Sequence, residues 1–155
     1  MKNLKVKIVG SGFAFLLAVL AGWEGKKLVA YYDTGGVPTI CYGRTEGVKI
    51  GDTASEEQCL LWLKQEAGRH FEWVDRYIDV PMEPWQHVAF ASLSYNIGTR
   101  AFAGSTLVKK ANAGDMDGAC REILRWVYDN GKKVQGLVNR RHYEYQLCMG
   151  IGVTK

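Results

Sequence analysis

Between Thr53 and Pro81 the chain carries the pattern of one long amphipathic helix, and a rod on that scale constrains a 155-residue chain more than any other segment does. Thr53-Ala54-Ser55-Glu56 has the form of a capping box, in which a hydroxyl and a carboxylate satisfy the first unpaired amides of a helix. Leu60, Leu63, Ala67, Phe71, Val74 and Ile78 then recur at spacings of three and four, and Pro81 sets a limit beyond which the helix cannot run. A helix of roughly 25 residues is about 35 Å long. Before it, Tyr31-Tyr32 and Val37-Pro38-Thr39-Ile40 flank Gly35-Gly36, which reads as a hairpin with a tight turn. After it, Pro84 suits the first turn of a helix, and the run from Trp85 to Gly98 is apolar almost all round, the mark of a buried central helix. Shorter helices follow: one from near Ser105 to near Gly114, one from near Asp115 containing Ala119, Ile123 and Trp126, and a last from about Val138 to Met149.

The chemistry is concentrated around the hairpin. Glu24 directly follows an apolar run, which places its carboxyl against apolar surface, and burial favours the protonated form that a general acid needs. Asp33 stands at the turn and Thr39 on the return strand. Two carboxylates near one turn are what glycoside cleavage requires: one gives a proton to the leaving sugar oxygen, and the other stabilises positive charge or positions the attacking group. Taken singly, Glu24 and Asp33 also read as solvated surface charges and Thr39 as an ordinary β-branched strand residue.

Glu24, eight residues, Asp33, five residues and Thr39 resemble the pattern of the phage-type lysozymes, glycoside hydrolase family 24, which are muramidases of bacterial cell walls. The resemblance runs from about residue 15 to about residue 149. It implies an α+β lysozyme-like fold, in which a small hairpin-sheet lobe is joined by a long helix to a larger helical lobe. It implies Glu24 as general acid, with Asp33 and Thr39 holding the hydrolytic water where an inverting mechanism needs it. Cys41-Tyr42-Gly43-Arg44-Thr45 stands where the family usually reads Gly-Tyr-Gly-His-Thr, so Tyr42 and Gly43 match substrate-contacting positions while Cys41 and Arg44 depart from the pattern. Tyr95 and Asn96 match the cleft-lining corner and are carried over as sugar contacts, against the alternative of a core tyrosine and a helix-end asparagine. Arg140 aligns with the arginine near the catalytic glutamate, where a guanidinium can hold a carboxylate bidentately. Its neighbour Arg141 reads as part of a solvated face.

Lys2, Lys5 and Lys7 precede an uncharged run from Ile8 to Trp23, the order of an export signal. The run is shorter than the about 20 residues of a standard span, and Gly10, Ser11, Gly12, Ala14, Ala18, Ala21 and Gly22 make it weakly hydrophobic. Cleavage after Ala21 would remove the helix leading to Glu24. An uncleaved segment, first in the membrane and later part of the enzyme, fits better, and resembles the signal-arrest-release endolysins of phages of Gram-negative bacteria. Residues 1–23 are therefore expected to be a signal-anchor segment that also supplies the first helix, and 24–155 the catalytic domain. Leucine at Gly10, Ser11 and Gly12 is expected to favour the membrane. The alternative is a cytoplasmic enzyme with a buried N-terminal helix.

Four cysteines allow three disulfide connectivities, or four reduced buried thiols in a cytosolic protein. The lobes implied by the resemblance place Cys41 with Cys59 and Cys120 with Cys148. Apolar residues make up 47% and charged residues 23%, ordinary for one globular domain. A net charge of +4 suits an anionic wall polymer, and suits many soluble proteins equally well. No metal-ligand spacing, phosphate-binding loop or nucleic-acid motif is present in the sequence. The expectation is a monomer without metal or cofactor, with peptidoglycan as substrate, the inner membrane as an early contact, and the host periplasm as its place of action. A catalytically silent peptidoglycan-binding module of the same fold is the rival reading, and a holin-like membrane protein a more distant one.

Overall fold

The computed structural model describes residues 6–8 and 10–154. Lys2 and Lys5 of the basic start lie outside the described residues. The apolar run folds as α1 (Phe13–Glu24), which turns Leu16, Val19 and Leu20 into the core. Gly12 opens it in a left-handed conformation, and a Cβ there would lie 2.8 Å from the Val88 side chain. Among the described residues no helix is long and apolar enough to cross a membrane.

Strands β2 (Lys27–Tyr32) and β3 (Pro38–Cys41) pair antiparallel, with Tyr31 opposite Thr39, and form the expected hairpin. Helix α2 (Glu56–Tyr77) follows, and its N-cap is Ser55, whose hydroxyl accepts from the Gln58 amide at 3.1 Å; Glu56 is thus the first helical residue and not the third that the expected box on Thr53 requires. Its buried stripe is Cys59, Leu63, Ala67 and Val74, and Leu60 is exposed. The inward position in that turn belongs to Cys59, because it is bonded to Cys41 of β3. Helix α3 (Pro84–Ile97) starts with a reciprocal cap between Glu83 and Gln86 and buries every residue from Val88 to Ser94, as its all-round apolar sequence requires.

Against α3 pack α4 (Thr99–Ala103) and α7 (Gln135–Cys148); α5 (Thr106–Asn112) packs on α6 (Met116–Glu122), and Cys120–Cys148 ties α6 to α7. A 3-10 turn at Ile123–Arg125 takes Trp126 out of the helix expected to contain it. Two features were not expected. Strands β4 (Tyr128–Asp129) and β5 (Lys132–Lys133) form a second hairpin, turned by Asn130 and Gly131, both at positive φ. That is the Asn-Gly pair of a two-residue hairpin, so its signal was present in the sequence. Strand β1 (Val6–Lys7) also pairs in parallel with β6 (Val153–Thr154), which brings the two ends of the described chain together.

The two cores differ in size. The large lobe has a continuous core built on α1, α2, α3 and α7, whereas the buried apolar residues of the small lobe are Ile40, Cys41 and Cys59. Replacing both Cys41 and Cys59 by alanine is expected to cost about 3 kcal/mol. A thermal melt should show a lower midpoint, with near-ultraviolet signals of the small lobe lost before those of the large one.

Candidate active site

Leu16, Leu20 and Glu24 succeed one another at four-residue spacing, so the face of α1 that enters the core ends in a carboxylate. The Glu24 side chain is 16% exposed, and its Oε1 accepts a hydrogen bond of 2.7 Å from Nη1 of Arg140, which is 5% exposed. The other terminal nitrogen of Arg140 donates to the Ser92 carbonyl at 3.2 Å. The expected fork of two bonds onto one carboxylate is thus divided between Glu24 and the backbone of α3. On the far side, Gly43 (φ 79°) presses against Glu24, and a Cβ at that position would lie 3.0 Å from Glu24 Oε2.

Asp33 follows β2 and builds the turn with its own side chain. Its Oδ1 accepts from the amides of Gly35 at 2.9 Å and Val37 at 2.8 Å. Thr39 is 3% exposed, and its hydroxyl donates to the Val37 carbonyl at 2.9 Å. The Tyr31 phenol, on β2 opposite Thr39, is pushed up from its ordinary pKa first by burial, then by the charges of Glu24 and of Asp33. One hydroxyl therefore feels the carboxylate of the helix end and the carboxylate of the hairpin together. Thr34, beside Asp33, donates to Asp129 Oδ2 at 3.2 Å, so the turn of one lobe touches the second hairpin of the other.

Tyr95 donates to the Tyr42 carbonyl at 2.7 Å, and its oxygen lies 3.2 Å from Glu66 Oε2. Glu66 Oε1 accepts from Arg44 Nη1 at 2.8 Å, and the Arg44 guanidinium lies 4.5 Å from the centre of the Trp62 ring. Arg44, which departs from the family pattern, thus has an acid partner on α2. Glu66 was missed in the sequence because its place on the helix gave no sign of what it faced. A cleft of 360 Å³ beside these residues is lined by Gly43, Glu66, His70, Trp73, Tyr95 and Thr99. The His70 ring nitrogen Nδ1 is 2.9 Å from the Ser94 hydroxyl, and burial, then the charge of Arg69, pull its pKa down to about 4.

Asn96 is exposed at the end of α3, and its side-chain oxygen is bonded by Arg141. Arg141 corrects the reading of a solvated face. It is fully buried, donates from Nε to the Trp126 carbonyl at 2.8 Å, and pairs with the buried Glu144.

The family model for phage lysozyme matches residues 21–144. The chain belongs to the phage lysozyme family. Among relatives, the SAR-endolysin of Pseudomonas phage phiKMV is 39% identical over 90% of this chain and 89% of its own length. The SAR-endolysin of Enterobacteria phage P21 is 34% identical over 91% and 90%. The solved endolysin from Escherichia coli O157:H7 phage FAHEc1 superposes with a TM-score of 0.78 at 34% identity, covering 90% of this chain and 94% of that one. The lysozyme fold expected from the Glu–Asp–Thr spacing is therefore the fold of the chain, and as a phage lysozyme it is a glycoside hydrolase.

Two outcomes follow from the geometry of this lysozyme. Gly43→Ala adds a Cβ at a left-handed position against Glu24, so activity on cell walls should fall at least about 10-fold, the rate equivalent of about 1.4 kcal/mol of strain or misplacement. His70 contributes to stability through its lowered pKa. That contribution is complete above pH 6.5 and is lost as the pH falls toward 4, where the folded state still excludes a proton that the unfolded chain binds. Urea titrations from pH 7 to pH 4 should show the native chain losing more stability than His70→Asn over that interval.

Proposed function

We propose that this lysozyme is an endolysin that hydrolyses the β-1,4 bond between N-acetylmuramic acid and N-acetylglucosamine in peptidoglycan, with Glu24 as general acid. The observation that carries the reading is the placement of Glu24. Arg140 occupies Oε1, and Oε2 is turned to the side that Gly43 leaves without a side chain. Oε2 is the oxygen free to carry the proton to the leaving sugar, and the glycine leaves room for that sugar's oxygen. Asp33 keeps Oδ1 for the turn, and its Oδ2 takes no protein hydrogen bond among the described residues, which suits an oxygen that holds water. Thr39 gives its hydroxyl proton to the Val37 carbonyl and keeps its oxygen to accept from water, so Asp33 and Thr39 together position water on the opposite face of the sugar. Gly43 and Tyr95 line the cleft, and Tyr42 is held beside it by the bond from Tyr95 to its carbonyl. Asn96, with its carbonyl taken by Arg141, offers the sugar its amide hydrogens only.

The N-terminal segment is proposed to anchor the enzyme to the inner membrane of the host before release into the periplasm, where it acts as a monomer. This follows the SAR-endolysin designation of the relatives and the weak hydropathy of the run from Ile8 to Trp23. In the folded enzyme the same residues supply α1. While they lie in lipid, Glu24 has no helix to carry it into the cleft.

Digestion of purified cell walls followed by analysis of the new reducing ends tests the reaction. Reducing N-acetylmuramic acid is the expected product; anhydro-sugars or free stem peptides would refute hydrolysis of this bond. Glu24→Gln keeps shape but not the proton, and should lower the rate about 10²–10⁴-fold while the enzyme remains folded at the assay temperature, with a lower melting midpoint because Arg140 loses its charged partner. The anchor is best tested on the exposed face of α1. Leucine at Gly12 would strike Val88 in the released fold, whereas Ala14 and Ala18 are exposed. Ala14→Leu with Ala18→Leu should leave more protein in the membrane fraction and delay lysis, with the specific activity of soluble enzyme unchanged. Release on the native schedule would rule out a release device.

A further inference from the structure

The acid proposed for the reaction is one of four charged groups that α7 brings together, and the roles proposed above leave Glu144 without one. Arg140 bonds Glu24, Arg141 bonds Glu144, and Arg140 Nε lies 3.9 Å from Glu144 Oε2. Arg141 and Glu144 are fully buried. A carboxylate and a guanidinium with no access to water are costly to keep, and replacing such a pair by apolar residues is often neutral or stabilising. Here the pair lies beside the arginine that holds Glu24: Arg140 Nε and Glu144 Oε2 are buried without a hydrogen-bond partner among the described residues and face each other as opposite charges. Its members also reach the Trp126 carbonyl and Asn96, so it fixes the end of α3 and the turn after α6 relative to α7.

We propose that Glu144 is a positioning residue for the hydrolysis: as a buried carboxylate it holds the Arg140 guanidinium toward Glu24 and balances Arg141, so that the acid faces one net positive neighbour and not two. The proposal rests on Glu24 being the general acid. The charged and titratable groups arranged around Glu24 are Arg140, Arg141 and Glu144 of α7, Tyr95 of α3, and Tyr31 and Asp33 of the hairpin, with Glu66 of α2 behind Tyr95. Of these, Glu144 is the carboxylate with no access to water, so its charge is the least screened by solvent. Burial pushes its carboxyl up from the ordinary value, and Arg141 and Arg140 pull it back.

Removing that negative charge should favour the ionised form of the acid, which cannot give a proton. Glu144→Gln should therefore lower kcat on defined muropeptide oligomers about 10-fold with KM within about two-fold, and move the alkaline limb of the pH–kcat profile down by about one pH unit. A residue that only supported the fold would lower the melting temperature and the fraction of active enzyme, and leave the limb where it was. Arg141→Met combined with Glu144→Leu removes one charge of each sign. This variant should fold, keep the alkaline limb at its native position, and still lose about 10-fold in kcat because Arg140 is no longer tethered. A native alkaline limb in Glu144→Gln, or a native kcat in the double variant, would overturn the proposal. Should Glu144→Gln not fold, the double variant alone decides. Glu24→Gln, measured alongside, separates the two readings: full activity there would remove Glu24 as acid, whatever the Glu144 variants do.

Discussion

The bond from Arg140 to Glu24 joins residues 116 positions apart, and most of the architecture is arranged so that it can form. Glu24 reaches it because α1 is driven into the core by Leu16, Val19 and Leu20. Arg140 reaches it because α7 packs along α3, whose Ser92 carbonyl takes the other end of the guanidinium. A nearly buried charge must find a partner or be expelled. The pair therefore specifies the relative placement of the first helix, the central helix and the last one, more narrowly than apolar contact could.

The small lobe works under a different constraint. It has too little apolar surface to define itself, so covalent and polar links do that work. Cys41–Cys59 fastens β3 to α2, and Asp33 knits the turn with its own carboxylate. The Arg44–Glu66 pair and the Tyr95 hydroxyl then set the Tyr42–Gly43 stretch from α2 and α3. In this lobe the groups proposed for chemistry also hold the backbone together. Asp33 gives one oxygen to the turn and leaves the other for the water proposed to sit there.

Much of this was legible because it rests on local patterns. The hairpin around Gly35-Gly36, the start of α2 and the buried α3 follow from short-range signals, and the cysteine pairs from the lobes that the family resemblance implied. What escaped depended on partners distant in the chain. Arg141 reads as solvated because arginine is rarely buried, and only Glu144, Asn96 and the Trp126 carbonyl make its burial tolerable. Glu66 is one of many polar residues on α2 until Arg44 and Tyr95 are folded against it. Leu60 fitted the helical period, but a disulfide decided which residue of that turn faces inward. The β4–β5 hairpin is a different case: its Asn130-Gly131 pair is a local signal and was overlooked among the helices.

The parallel pairing of β1 with β6 gives the chain an order of assembly. A ribosome delivers the N-terminal strand first and its partner after α7, so the strand remains without its final neighbour for nearly the whole of synthesis, while the helix behind it meets α2 and α3 earlier. Glu24 is in the same position, since Arg140 emerges late. The hairpin and α2 can close on themselves much earlier, because their contacts are short in sequence. The groups that would break the wall are thus made early and assembled late, and the enzyme cannot be complete until its last helix has left the ribosome.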